Sequence, residues 1–139
     1  MENKVINEIY DKNTGYSEVT IQNKYGRFTG TAQCHPNDLK SYSAYTGARY
    51  AEIRATCNYA KFRYNQEKIK LKAIKDFKKQ LLDNNIFIDK KIERQLNLKI
   101  RDYTQSTSDW ENLYKYLNRR IPELDKEREK ILSRTKQNN

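Results

Sequence analysis

Residues 17–34 read SEVTIQNKYGRFTGTAQC, two runs of alternating side chains on either side of a tight turn. In both runs every second side chain is apolar or small, at positions 19, 21, 28, 30, 32 and 34. A period of two is typical of a β-strand with one buried face. Lys24-Tyr25-Gly26 lies between the runs, and its glycine suits a tight turn. The segment therefore predicts a β-hairpin.

A further strand is predicted upstream of the hairpin. Val5, Ile6 and Ile9 lie in a short run that ends at Tyr10, and the turn-like segment 11–15 follows it. We expect a three-stranded antiparallel meander with one solvated face. The small side chains at positions 30 and 32 leave room for a helix to lie close on the other face. The sheet is expected to end at residues 35–38, His-Pro-Asn-Asp, because proline cannot donate to a ladder.

The chain after the sheet has helical periodicity. From about Ser43 to Asp83 nothing stops a helix, although Gly47 is compatible with a bend. Its predicted buried stripe is Ala48, Ala51, Ala55, Tyr59, Phe62, Gln66, Ile69, Ala73, Phe77 and Leu81. The mean spacing of about 3.67 residues is close to that of a straight helix. The pattern predicts one very long helix with a single buried face.

Two return helices are predicted after a turn at residues 83–85. The first begins at Asp89, whose carboxylate can cap the free N–H groups of a helix. A polar loop is expected at residues 104–108, and Asp109 then caps the second return helix. Pro122 predicts a kink or two abutting helices.

The expected fold class is therefore α+β: a three-stranded antiparallel sheet, one very long helix, and two return helices that form an antiparallel helical arm. We expect an N-terminal module at residues 1–50, containing the meander and the start of the long helix. The helical arm at residues 51–139 is expected to pack with it as one domain.

Composition excludes several functional classes. Hydrophobic residues are 36% of the chain and the mean hydropathy is −1.11, so no transmembrane helix is expected. Two cysteines and one histidine are too few for a disulfide scaffold or a typical zinc site, and no metal or cofactor is expected. Cys34 and Cys57 are interpreted as small buried side chains where the third strand meets the long helix. Phosphate-loop, dinucleotide and zinc-protease motifs are absent, which argues against an enzyme.

The positive charge is concentrated in the long helix. The net charge is +10, and nine basic residues but only two acidic ones lie between Arg54 and Lys79. This concentration of positive charge attracts polyanions or acidic protein surfaces, although a solvated helix face has the same composition. The predicted partner-binding residues are Arg54, Lys61, Arg63, Tyr64, Lys68, Lys72, Lys75 and Lys79.

One segment resembles a known group of proteins. Its features are a strand of the form F-x-G-x-A-x-C at residues 28–34, a P-x-D turn at 36–38 and a helix opening with G-x-x-x-A-x-x-R-A at 47–55. It is similar to small phage and mobile-element proteins of Gram-positive bacteria, and to anti-CRISPR proteins in size and plan. The resemblance covers about a quarter of the chain. It implies a small N-terminal sheet module joined to a variable helical part.

Three functions fit these features. The first is a phage-encoded inhibitor, an anti-CRISPR protein that binds an RNA-guided nuclease in the host cytoplasm. Its positive charge would dock on an acidic nuclease surface, including one whose carboxylates hold Mg²⁺, or would contact bound guide RNA. The second is a nucleic-acid-binding accessory protein that uses phosphate contacts and tyrosine stacking. The third is a structural or assembly protein whose helices form a homodimeric bundle.

Overall fold

The computed structural model describes residues 3–34 and 44–137, with side chains described to residue 126. The elements are β1 (Lys4–Asp11), β2 (Tyr16–Asn23), β3 (Gly26–Gln33), α1 (Ala44–Asp83) and α2 (Lys90–Gln137). The α+β class and the three-stranded antiparallel sheet are confirmed. The expected turn at 35–38 and the start of the long helix before Ala44 lie outside the described residues.

The sheet has the order β1-β2-β3, and both pairs are antiparallel. Val19 lies opposite Gly30 and Ile21 lies opposite Phe28, so the predicted apolar faces of β2 and β3 coincide. Val19 and Ile21 are fully buried. On the opposite face Thr20 and Thr29 are also cross-strand partners, and their hydroxyls hydrogen-bond at 2.8 Å.

Helix α1 crosses β3 at Gly30. A Cβ atom on Gly30 would overlap the backbone carbonyl oxygen of Ala51 and the backbone nitrogen of Ala55, and both alanines are completely buried. The expectation that small residues on β3 admit a helix is therefore confirmed. Because only glycine lacks a Cβ, the backbones of strand and helix can come into direct contact here.

The outer edge of β3 is occupied by side chains of α1. Arg54 Nη1 donates to the carbonyl oxygen of Thr31 at 2.7 Å, and Asn58 Nδ2 donates to that of Thr29 at 2.8 Å. These carbonyls point away from β2 and would otherwise be open to another strand. Arg54 and Asn58 lie one helical turn apart, and Thr29 and Thr31 lie two residues apart on the strand. The two side chains can therefore satisfy both edge carbonyls.

Both cysteines are buried, as the sequence predicted, and they form no disulfide. The Cys57 Sγ atom donates to Asn118 Oδ1 at 3.2 Å, which joins α1 to α2. Nearby, Tyr59 packs against the rings of Phe28 and Tyr25, with centroid distances of 5.1 and 6.2 Å. These contacts tie α1 to the hairpin of β2 and β3.

The chain divides into two compact units. The first consists of Met1–Tyr59 and Tyr114–Asn139, and contains the sheet, the start of α1 and the end of α2. The second is Ala60–Leu113, a helical hairpin made of the rest of α1 and α2. The domain boundary expected at residue 50 falls inside α1.

The prediction of two return helices is wrong, because α2 is continuous over 48 residues. The segment 104–108, expected as a loop, continues the helix. The Thr104 and Thr107 hydroxyls donate to the carbonyl oxygens of Ile100 and Tyr103, at 2.6 and 2.7 Å, and Gln105 bonds to Asp109. Hydroxyl groups that bond to the preceding turn are compatible with a helix interior. Asp109 is consequently an interior residue of α2 and not a cap.

Pro122 does not break α2 either. An interior proline removes one helical hydrogen bond and disfavours a helix by about 3 kcal/mol. Packing in the first unit opposes that cost, since Ile121 is half-buried and Leu124 is buried on either side of the proline. The prediction of two abutting helices at Pro122 is therefore wrong, and the predicted kink stays a prediction.

The turn between α1 and α2 is well capped. Asn85 has a φ of 56°, and the N–H groups of Asn85 and Ile86 donate to the carbonyls of Leu82 and Leu81. This is the hydrogen-bond pattern of a Schellman motif. Asp89 Oδ1 accepts from the N–H of Ile92 at 2.8 Å, which confirms the predicted cap of the return helix.

Candidate partner-binding surface

The buried face of α1 changes within the helix. Up to Tyr59 it follows the predicted stripe, because Ala51, Ala55 and Tyr59 are buried against the sheet. In the second unit a different row of α1 is buried or half-buried, at Ala60, Arg63, Glu67, Leu71, Ile74, Lys78 and Leu81, and Tyr64 and Gln66 beside it are half-buried. Beyond Tyr59 the predicted stripe is wrong for Phe62, Ile69, Ala73 and Phe77, which are exposed, while its members Gln66 and Leu81 are half-buried.

The new face is the one that pairs with α2. Its positions recur in steps of three and four, as do Leu96, Ile100, Tyr103, Thr107 and Trp110 on α2. This spacing is that of helices packed as a coiled coil. Arg63 contacts Trp110 and Lys78 Nζ bonds to Asn97 Oδ1 at 2.6 Å, so the two helices of the hairpin run antiparallel.

Arg63, a predicted partner-binding residue, lies in this seam. Its side chain is 11% exposed, and its guanidinium carbon lies 5.1 Å from the centre of the Trp110 ring. The guanidinium donates to Gln66 Oε1 at 2.9 Å and to Glu67 Oε1 at 3.4 Å. Lys70 Nζ reaches the same Glu67 oxygen at 3.3 Å. A buried carboxylate thus holds two of the cations that the sequence assigned to the surface charge.

Two further predicted residues have internal contacts. The Arg54 guanidinium is bonded to the edge of β3, as described above. Tyr64 is half-buried, and Lys68 Nζ lies 5.7 Å from the centre of its ring. A cation over an aromatic face is a modest attraction at an exposed site, and it holds Lys68 beside the tyrosine.

The remaining predicted cations form one exposed row, which we call the lysine ridge: Lys61, Lys68, Lys72, Lys75 and Lys79. None of them makes an ion pair with another residue in the described part of the chain. Their spacings of seven, four, three and four residues keep them on one side of α1 over about 27 Å. The ridge therefore presents a line of uncompensated positive charge.

Beside the lysine ridge runs an exposed apolar row, the apolar stripe: Phe62, Ile69, Ala73 and Phe77. Ile69 is 69% exposed and Phe77 is 50% exposed. Lys61, Lys68 and Lys72 each precede a member of the stripe by one residue, so the two rows are neighbours on the helix surface. Sequence reasoning placed these apolar residues in the core. The seven-residue spacing of Leu96, Tyr103 and Trp110 on α2 was the signal for a different seam.

A shallow groove of about 430 Å³ lies where the two rows meet, lined by Lys68, Ile69, Leu71, Lys72, Lys75 and Asp76. Its floor is apolar and three of its six lining residues are lysines. A second groove of similar volume lies on α2, between Lys90 and Arg101. That groove includes Glu93 and has Leu98 as its single aliphatic residue.

No three His, Cys, Asp or Glu side chains lie close enough to hold a metal ion in the described ranges 3–34 and 44–137. Over the same ranges, no helix is both long and apolar enough to cross a membrane. No family model, curated protein or solved structure matches this chain.

Proposed function

We propose that this protein acts by binding an acidic, amphipathic segment of a partner protein along the lysine ridge and the apolar stripe of α1. The observation that carries the proposal is the juxtaposition of uncompensated lysines and exposed large apolar side chains on one helix. Soluble proteins rarely leave contiguous apolar patches unused. A partner helix with acidic residues on one flank would cover both rows.

A protein partner explains the surface better than a nucleic acid does. Phosphate groups would engage the lysines but would leave Ile69 and Phe77 in water. Covering apolar surface contributes roughly 25 cal/mol per Å² removed from water. A partner protein that contacts the lysine ridge and also covers the apolar stripe therefore gains binding free energy that a phosphate backbone cannot supply. Two copies of this chain would bring the lysine ridges together, so the same face disfavours a homodimeric bundle.

The resemblance at residues 25–55 narrows the class of partner. We propose that the protein is a phage-encoded inhibitor of a bacterial defence nuclease, acting in the host cytoplasm on an RNA-guided CRISPR effector. An inhibitor of this kind needs a binding surface and no catalytic group of its own. The acidic surface of a nuclease complements the charge of the ridge.

The test measures binding to guide-RNA-loaded CRISPR effectors and inhibition of their DNA cleavage. Reversing three ridge charges, Lys68→Glu, Lys72→Glu and Lys75→Glu, should abolish both activities and leave the melting temperature unchanged. The matched control reverses three exposed cations of α2, Arg94→Glu, Lys99→Glu and Arg101→Glu, and should bind like the wild type. Replacing Ile69 and Phe77 by serine should also weaken binding.

Salt dependence distinguishes the alternatives. For a protein partner, salt should act mainly on the association rate. If the protein instead binds free guide RNA, and affinity falls with a log–log slope of about −0.7 per phosphate contacted, the nucleic-acid alternative is correct. A ridge variant that inhibits like the wild type would leave the lysines as a solvated face.

A further inference from the structure

The turn that joins the two helices of the hairpin exposes a second apolar cluster, which we call the hairpin tip: Leu82, Ile86 and Phe87. Phe87 is 88% exposed, the highest value among the large apolar side chains of the described residues. Leu82 and Ile86 are each more than half exposed. A cluster of this kind stays in water only at a free-energy cost, so its chemistry points to a binding role.

Hydrogen bonds fix the backbone on both sides of Phe87. Asn85 in the left-handed region and the two Schellman hydrogen bonds fix the end of α1, and Asp89 fixes the start of α2. Asn84 adds a side-chain bond to the carbonyl oxygen of Gln80 at 2.9 Å. A preorganised backbone lowers the conformational entropy that the turn loses when a partner buries its aromatic side chain.

The hairpin tip also continues the surface proposed above. Lys79, the last member of the lysine ridge, precedes Leu82 by three residues, and exposed Lys90 and Lys91 follow Phe87 closely. Stripe, ridge and tip all belong to the second unit. One partner protein can therefore contact all three.

We infer that the hairpin tip is the anchor of this interface, with Phe87 entering an apolar pocket of the same acidic partner protein that covers the lysine ridge. This inference rests on the proposed function. The ridge provides long-range attraction, which governs association. The tip provides buried apolar area, which governs the lifetime of the complex. The partner should accordingly have an apolar pocket at one end of an acidic surface.

The experiment measures association and dissociation rates with a guide-RNA-loaded CRISPR effector for the full chain and its variants. Phe87→Ser should raise the dissociation constant about tenfold or more, mostly through faster dissociation. Phe87→Leu should retain affinity to within about threefold, since it keeps most of the apolar area. The matched control is Tyr45→Ser, which removes an aromatic side chain that is 74% exposed in the first unit. Circular dichroism should show an intact fold for every variant, because Phe87 is in solvent.

The outcomes separate the two proposals. If Phe87→Ser binds like the wild type while the ridge variant does not bind, the anchor is overturned and the proposed function stands. If the ridge variant binds like the wild type, the lysine ridge is not the binding surface and the proposed function is overturned. If the wild type binds no guide-loaded effector, both proposals are overturned.

Discussion

The guanidinium of Arg63 lies over the indole ring of Trp110, 5.1 Å from its centre, in the seam between α1 and α2. The same group is bonded to Glu67, whose side chain is only 6% exposed. Arg63, which the sequence assigns to a positively charged surface, is thus a core residue of the helical hairpin. Arg63 is therefore not part of the charge that α1 presents to a partner.

Removing Arg63 should destabilise the hairpin strongly. Arg63→Ala leaves the buried Glu67 carboxylate with only Lys70 as a cationic partner, and the expected loss is about 3–5 kcal/mol. The double variant Arg63→Met, Glu67→Leu removes both charges and fills the seam with apolar groups. It should be within about 1 kcal/mol of the wild type or more stable. Urea denaturation measures both; a double variant as unstable as Arg63→Ala would contradict this account of the seam.

Gly30→Ala should destabilise the first unit. The added Cβ meets the backbone of α1 at Ala51 and Ala55, and backbone atoms cannot move aside without separating helix and strand. The expected loss is about 1–3 kcal/mol, measured as a lower midpoint of thermal unfolding. Thr31→Ala is the control on the same strand, since its side chain is exposed. Equal midpoints for the two variants would mean that α1 does not touch β3.

Asp89→Ala should weaken the start of α2. The Asp89 carboxylate accepts from the N–H of Ile92, and loss of such a cap destabilises a protein by about 0.5–2 kcal/mol. Asp89→Asn retains a capping oxygen and should restore most of the stability. Hydrogen exchange at residues 90–93 localises the effect. Protection factors that are the same in the alanine variant and the wild type would show that the cap is dispensable.

Tyr16 should titrate at unusually high pH. Its hydroxyl donates to Glu18 Oε2 at 2.7 Å, and this hydrogen bond to a carboxylate raises the pKa of Tyr16 above its ordinary value of 10.0. Because the folded-state pKa is raised, the stabilisation is complete below pH 10 and is lost as pH rises through the higher folded-state value. The ultraviolet titration of tyrosinate should lose a component above pH 10 in Tyr16→Phe. Glu18→Gln should move that component to lower pH; an unchanged curve would exclude the hydrogen bond as the cause.

The sheet was predictable because its determinants are local. Alternation in β2 and β3 and the turn residues between them specify a hairpin with a defined buried face, and the register agrees. Gly30 and Ala32 also revealed where a helix approaches, since small side chains on a buried face leave space that a close neighbour has to fill. The Asp89 cap was predictable for the same reason as the hairpin, because a capping carboxylate acts within one turn of its own residue.

The candidate surface could not be predicted in full, because burial on a long helix depends on what packs against it. Up to Tyr59 α1 packs on the sheet, and the buried stripe predicted from the sequence is buried there. Beyond Tyr59 the partner is α2. The seam then includes Arg63 and Glu67, which satisfy each other's charge and so are tolerated inside. Phe62, Ile69 and Phe77 are left on the solvent side as a consequence.

The amino-acid sequence by itself determined the sheet, the helical nature of the remaining chain and the concentration of basic residues between Arg54 and Lys79. Each of these depends on periodicity or composition within a few neighbouring residues. Tertiary structure decided that α2 continues through Pro122 and which face of α1 is buried beyond Tyr59. Those outcomes depend on contacts between residues far apart in the chain, whose packing energy exceeds the local preference of a single proline.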